Sequence, residues 1–506
     1  MKLERVKNTK RNVFHGAAFR ILSTILPFID RTILLRILGV EYLGINSLFI
    51  SILSVLSLAE LGFGTAIIYC MYKPVAEDDT ETVCALLELY KKIYRWVGTI
   101  ILGAGICVSP FLKHLISGEV PSDINIYLVF FIQLGNTVIS YLFFAYKSSI
   151  LSAYQREDVI SKVSAGTLIL QYLVQYLVIL TMHNYYAYLL IVPITTLIRN
   201  VFKYFLASRI FPLCNQKTEK RLDEEKKYEI LKRVRALFLH KIGGVITNSL
   251  DSVVVSAFIG LSATAIYNNY WHIMSSVGNT IAILYVSILA GIGNSVASES
   301  IDNNYKKFNR LTIFNNWIVG WCSICMLCLY QPFMKLWVGV EYMFPFHTMV
   351  LFVIYFYINL IRRINVTFKD ACGIWIEDRY KPLVSGFANV ILNIVLIQII
   401  GIDGVLISSI VSLAVVEFPW EVYVLFKSYF ARGTRRYYIR MAVSAVFIVL
   451  TSIVTYLVAH FAVTKYIYND VSALVITAII CIVVPNIIFL LVWHDKIRFV
   501  KSYLKR

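Results

Sequence analysis

Arg20, Asp30 and Arg31 lie in the run RNVFHGAAFRILSTILPFIDRTILLRILGVEYLGINSLF, residues 11–49, where a plain membrane anchor would carry leucine. An ionisable side chain in the hydrocarbon core costs at least about 2.5–3.5 kcal/mol, so such groups face a water-filled cavity or a partner, or reach outward to the interface. The arrangement returns in the second half. Sliding the first run onto HKIGGVITNSLDSVVVSAFIGLSATAIYNNY sets Arg20 on Lys241, Asp30 on Asp251 and Gly39 on Gly260. Two charge-bearing helices at corresponding places mark a duplicated transporter architecture. Two readings stand for each charge: Arg31, Arg36, Arg20 and Lys241 reach the membrane interfaces while Asp30 pairs locally, or the repeated charges line a cavity.

A second constellation is polar and uncharged. Asn268, His272, Ser275 and Asn279 recur at intervals of four, three and four, which places them on one face of a helix, with Tyr267, Tyr270 and Trp271 beside them. The corresponding earlier span carries Asn46, Ser47, Ser51, Ser54 and Glu60. Such stripes serve either as interhelical hydrogen-bonding contacts or as the lining of a cavity that meets sugar hydroxyls. Glu60 stands out as a carboxylate beside Gly62-Phe63-Gly64 in an apolar run, and Gly291-Ile292-Gly293 is its counterpart. Glu417 and Glu421 flank Pro419 one helical turn apart and are expected to pair with nearby Arg or Lys. Cys322, Cys325 and Cys328 have no His or carboxylate with them and read as small hydrophobes, so no metal is expected. The sequence contains no GxxxxGK[ST], HExxH or GxSxG motif, and no catalytic residue or cofactor is implied.

The elements that carry these residues follow from composition. The chain has 506 residues, 58% hydrophobic and 15% charged, with mean hydropathy +0.70, which excludes a soluble protein. The formal charge of +18 sits in short gaps between apolar runs, a positive-inside pattern rather than a nucleic-acid surface. Runs long enough to cross about 30 Å of hydrocarbon number about fourteen. Most of the 48 Lys and Arg residues fall at the termini and in alternate loops, which places both termini in the cytoplasm. The nine cysteines show no paired spacing across exterior loops, so no disulfide framework is expected. The expectation is an all-α polytopic membrane protein of two pseudo-symmetric six-helix lobes plus two C-terminal helices. The N-terminal lobe would span 12–210, a cytoplasmic linker 211–228, the C-terminal lobe 229–428, the last two spans 436–494, and a cytoplasmic tail 495–506.

The runs RILGVEYLGINSLF, LAELGFGTAI, AFIGLSATAIYNNYWHI and ANVILNIVLIQIIGIDGVLISSIVS, the last with Asn389, Asn393, Gly401 and Gly404, resemble the polysaccharide flippase family. This is the Wzx-like branch of the multidrug/oligosaccharidyl-lipid/polysaccharide (MOP) exporter superfamily. The resemblance extends over nearly the whole chain. It implies two lobes around a central cavity that opens alternately to either side of the bacterial cytoplasmic membrane. The implied cargo is an undecaprenyl-pyrophosphate-linked oligosaccharide for capsule, O-antigen or exopolysaccharide assembly. On that reading Arg20, Arg31 and Lys241 meet the pyrophosphate. Asn268, His272, Ser275, Asn279, Tyr267 and Tyr270 meet the glycan, and Asp30, Glu60 and Asp251 are the candidates for ion coupling. Implied partners are membrane lipids, the lipid-linked glycan and other assembly proteins such as a polysaccharide polymerase, with no nucleic acid. Rival functions are a drug exporter or a peptidoglycan lipid-precursor flippase on the same fold, and a membrane glycosyl-transferring enzyme.

Overall fold

The computed structural model describes residues 5–60, 63–118, 120–212, 245, 249–466 and 469–503. Every regular element among them is helical. In the first half these are α1 (Arg5–Ile37), α2 (Val40–Leu56), α3 (Phe63–Ala76), α4 (Thr80–Val108), α5 (Ile126–Leu142), α6 (Ser148–Ala153), α7 (Glu157–Met182) and α8 (Tyr185–Ile210). A short α9 (Ser249–Phe258) follows. The second half holds α10 (Leu261–Ser298), α11 (Ile301–Trp337), α12 (Phe346–Ile361), α13 (Arg363–Ala371), α14 (Lys381–Ile400), α15 (Ile402–Val411), α16 (Phe418–Leu425), α17 (Arg435–Tyr466) and α18 (Asp470–Tyr503).

The protein is all-α and polytopic. Among the described residues ten helices are long and apolar enough to cross a membrane, and eleven when the bent pair Ile126–Leu142 and Ala145–Ala153 is one span. The other expected spans are the first, which carries the charges of α1, the second, and the seventh, described only over α9. The second is broken: a 3-10 turn, Ser57–Glu60, separates α2 from α3. The twelfth stays continuous through Pro419 by changing register, because a π-helical turn, Ser412–Glu417, precedes α16. Such a turn accommodates the hydrogen bond that proline cannot donate. Lipid-facing stripes confirm the class: Leu170, Leu173, Leu177 and Leu180 on α7, and Val443, Val446, Leu450, Ile453 and Leu457 on α17, are all exposed. At three- and four-residue spacing they form apolar faces that water would not tolerate.

Contacts divide the chain into two compact units, Met1–Ala265 and Ile266–Arg506. Residues 213–228 of the expected linker 211–228 lie outside the described residues. The division falls later than the linker because residues 256–262 pack into the first unit. The Ser117 amide donates to the Ser256 carbonyl at 2.9 Å, and the Ser262 hydroxyl donates to Glu41 at 3.1 Å. The repeat noted in sequence is legible in the backbone: Gly39 and Gly260 both adopt positive φ, 114° and 124°. Each also donates its amide to the carbonyl five residues earlier, Leu34 or Val255.

Candidate functional site: a polar cavity in the N-terminal unit

Five helices of the first unit line a half-open cavity of about 500 Å³. α2 and the turn after it supply Asn46, Ile50, Leu53, Ser54, Ser57 and Glu60, a stripe at helical spacing. α5 adds Ile132, Gln133, Asn136, Thr137 and Tyr141; α7 adds Gln171, Tyr172 and Gln175; α8 adds Tyr188, Leu189, Val192 and Pro193; α1 contributes Asp30.

Asp30 is positioned from two sides. The Tyr188 hydroxyl reaches both carboxylate oxygens at 2.8 Å. One turn earlier Pro27 interrupts the hydrogen-bond ladder of α1, and the Tyr176 hydroxyl donates to the neighbouring Leu26 carbonyl at 3.3 Å. Glu60 ends the turn between α2 and α3. It accepts from the Tyr94 hydroxyl at 3.3 Å, and Tyr94 in turn accepts from Tyr90 at 2.5 Å. The glycine beside Glu60 has a steric reason. A Cβ on Gly64 would sit 2.6 Å from the Tyr90 hydroxyl and 3.2 Å from Glu60 Oε1.

The amides form their own frame. Gln133 donates to Asn46 at 2.9 Å, Gln171 to Gln175 at 3.2 Å, and Gln175 to the Tyr188 carbonyl at 3.3 Å. Gln133, Asn136, Gln171 and Gln175 were missed in sequence. Their signal was there: amides three or four residues apart in otherwise apolar helices.

Of the residues singled out in sequence, Asp30, Glu60, Asn46 and Ser54 line this cavity together. Ser47 and Ser51 are buried on another face of α2. Arg31 is half-buried beside Asp30 and Arg20 is exposed on α1; neither lines the cavity, whose two charged lining residues are both acidic. Asp251 is 1% exposed within α9 and does not reach it. Lys241 lies outside the described residues. On α10, Asn268, His272 and Ser275 are half-buried and Asn279 is exposed. Tyr267 and Tyr270 depart from the expected glycan face, because both are packed in an aromatic core with Phe352. The Tyr270 hydroxyl is engaged there, donating to Gln331 at 2.8 Å and accepting from the Phe344 amide at 3.2 Å.

Residues 9–291 match the polysaccharide biosynthesis protein family. The chain belongs to that family. Its fold is similar to the lipid II flippase MurJ in an inward closed conformation, with TM-score 0.66, 16% identity, and 96% of this chain and 99% of that one covered. It is also similar to an inward-facing multidrug resistance MATE family transporter of the MOP superfamily, with TM-score 0.60, 11% identity and coverage of 80% and 94%. A MOP superfamily transporter from Pyrococcus furiosus gives TM-score 0.55, 11% identity and coverage of 84% and 97%. A search of curated protein sequences gives no match. The cavity of this polysaccharide biosynthesis family member lies wholly within the matched residues.

The second unit has a different polar feature, a closed ionic cluster. Arg362, at the junction of α12 and α13, pairs with Glu417 at 2.6 Å and with Glu421. Lys381 pairs with Glu421 at 2.5 Å and Asp378 at 3.5 Å, and Lys369 with Asp378. The Ser385 hydroxyl donates to Glu417 at 2.8 Å. Glu417 and Glu421 therefore pair as their sequence context suggested, and the cluster holds three cations against three carboxylates.

Proposed function

We propose that the protein moves an undecaprenyl-pyrophosphate-linked oligosaccharide across the bacterial cytoplasmic membrane by alternating access, for capsule, O-antigen or exopolysaccharide assembly. Family membership supports a role in polysaccharide biosynthesis, and the MurJ- and MATE-like fold supports transport rather than bond formation. The observation that carries the reading is the cavity: a polar chamber inside an apolar helical unit has no structural use unless something polar enters it. Arg20, Arg31 and Lys241 are the cations that attract the pyrophosphate, and the lipid tail stays in the bilayer. With no nucleotide-binding motif, the driving force is an ion gradient, the membrane potential or consumption of the product outside. Asp30, Glu60 and Asp251 are the groups for coupling to an ion, and unchanged flipping after all three are neutralised would remove them from that role. Both termini face the cytoplasm.

The deciding experiment is to delete the protein and locate the lipid-linked glycan. Accumulation on the cytoplasmic face, relieved by the wild-type protein, is the expected result. A second reading has its own observation: two carboxylates and three tyrosines in one cavity also suit a cationic drug. Normal glycan export with altered drug sensitivity in the deletion strain would favour that reading.

A further inference from the structure

We propose that the cavity of the N-terminal unit is a saccharide subsite, which takes neutral hydroxyl-bearing sugar residues of the cargo and excludes its pyrophosphate. This rests on the flippase reading and adds where, and by what chemistry, the glycan is held.

Several of the cavity's donors are already engaged. The Ser54 and Ser57 hydroxyls donate to the Ile50 and Leu53 carbonyls, both at 2.8 Å. Thr137 donates to the Gln133 carbonyl at 3.1 Å, and Tyr188 donates to Asp30. The Gln133 and Gln175 amide groups donate within the protein. What the lining offers a guest is a set of acceptors, the Asp30 and Glu60 carboxylates and the lone pairs of Ser54, Ser57 and Thr137, beside the amide N–H groups of Asn46 and Asn136 and the hydroxyls of Tyr141 and Tyr172.

An independent observation points to a guest that donates. Gln133 is 8% exposed, and its Oε1 is buried with no hydrogen-bond donor among the described residues; Asn136 Oδ1, one turn along the same face of α5, is in the same condition. Buried amide oxygens are costly to leave unmatched. Both residues line the cavity, and a donor held there meets these oxygens when the amide side chains turn toward it.

Size and charge narrow the class. A volume of about 500 Å³ falls in the range of sites that enclose small organic molecules, roughly 300–1,000 Å³, and far exceeds the space of one dehydrated cation. Among the described residues no three His, Cys, Asp or Glu side chains converge to hold a metal ion. A pyrophosphate offers only acceptors and negative charge, and would meet Asp30 and Glu60 with like charge. A sugar ring offers several hydroxyl donors at once and an apolar face for Tyr141 and Tyr172. Uronic acids are refused for the same reason as pyrophosphate.

The test uses the full chain in nanodiscs and in cells. Chitotriose, maltotriose and trigalacturonate are the probes, with binding read by saturation-transfer NMR. Neutral probes are expected to bind and trigalacturonate is not. Gln133→Met and Asn136→Leu each weaken neutral binding about fivefold, the worth of one hydrogen bond. Asn136→Asp keeps an acceptor and retains binding, which separates lost recognition from misfolding. In cells, Asn136→Leu slows export of the native glycan and Asn136→Asp does not. Absence of neutral binding, equal binding of trigalacturonate, or wild-type export by both α5 variants overturns the subsite and leaves the flippase reading standing. Gln133→Met and Asn136→Leu variants that leave saccharide binding unchanged also overturn it, whatever they do to sodium or proton dependence. Unchanged glycan distribution in the deletion strain sinks the flippase reading itself.

Discussion

Glu421→Leu in the ionic cluster of the second unit is the perturbation with the most readable cost. Glu421 is fully buried and accepts from both Arg362 and Lys381. Removing it leaves three cations facing two carboxylates in a site that water does not reach. Breaking a buried pair by deleting one partner costs about 3–5 kcal/mol, because the remaining charge is uncompensated. Here each bereaved cation keeps a second partner, Arg362 with Glu417 at 2.6 Å and Lys381 with Asp378 at 3.5 Å. The lower figure therefore applies, about 3 kcal/mol, or more than a hundredfold in the unfolding equilibrium. Arg362→Met strips a cation from Glu417 and Glu421 together and is expected to reach about 5 kcal/mol. Pairing Glu421→Leu with Lys381→Met restores balance and should cost less than the sum of the two single changes by at least about 1 kcal/mol. A thiol-reactive dye follows unfolding on heating, since Cys328 and Cys481 are buried and free. A loss under about 0.5 kcal/mol for Glu421→Leu, or strict additivity in the double variant, would refute a mutually compensated cluster.

Gly44→Ala places a Cβ 2.2 Å from the Leu261 carbonyl oxygen, a backbone atom with little freedom to yield, and should destabilise by about 1–3 kcal/mol. Gly103→Ala, which opens onto free space, should not lower the melting temperature. Gly64→Ala drives the Tyr90 hydroxyl from its place beside Glu60 and is expected to slow transport; Tyr90→Phe should relieve it, because the atom that clashes is then gone. Failure of that rescue would mean that backbone strain, not the hydroxyl, is the cause. Asp158→Asn removes the buried partner of Arg11, Arg156 and Lys162. Because those cations stay partly hydrated, the cost should be only about 1–2 kcal/mol. Its local signature is faster hydrogen exchange in the first turns of α1, which Arg11 and Asn12 tie to the start of α7; protection equal to wild type would refute the tie.

The class and repeat of this fold were legible because they depend on long-range averages. Hydropathy over about twenty residues reports burial in lipid without reference to any contact, and Gly39 and Gly260 repeat because each half needs the same left-handed turn. Asp30 and Glu60 were visible for a related reason: a charge in an apolar run is costly enough to demand an explanation. Gln133, Asn136, Gln171 and Gln175 were not, since an amide is cheap enough in a helix to pass as packing. Tyr267 and Tyr270 failed in the opposite sense. Tyrosine beside a polar stripe has the composition of a sugar site, but a phenol is mostly apolar surface, and here the rings fill the core against Phe352. Sequence gives the spacing along one helix; which neighbouring helix covers that face is a tertiary fact.

The partners of the buried carboxylates separate structural from functional acids. Glu417, Glu421, Asp378 and Asp158 are held by Arg and Lys, and for the first three losing the charge would strand a buried cation. Those groups are fastened and belong to the scaffold. Asp30 and Glu60 also accept phenol hydroxyls, from Tyr188 and Tyr94, and Asp30 has the Arg31 guanidinium beside it. A phenol donates to a carboxylate and accepts from a carboxylic acid, so the contact survives a change of protonation or the arrival of a hydroxyl-bearing guest. The same two acids are the ones that line the cavity. These reversible phenol contacts suit groups that change state during a transport cycle, whereas the acids held in ion pairs keep each unit rigid around them.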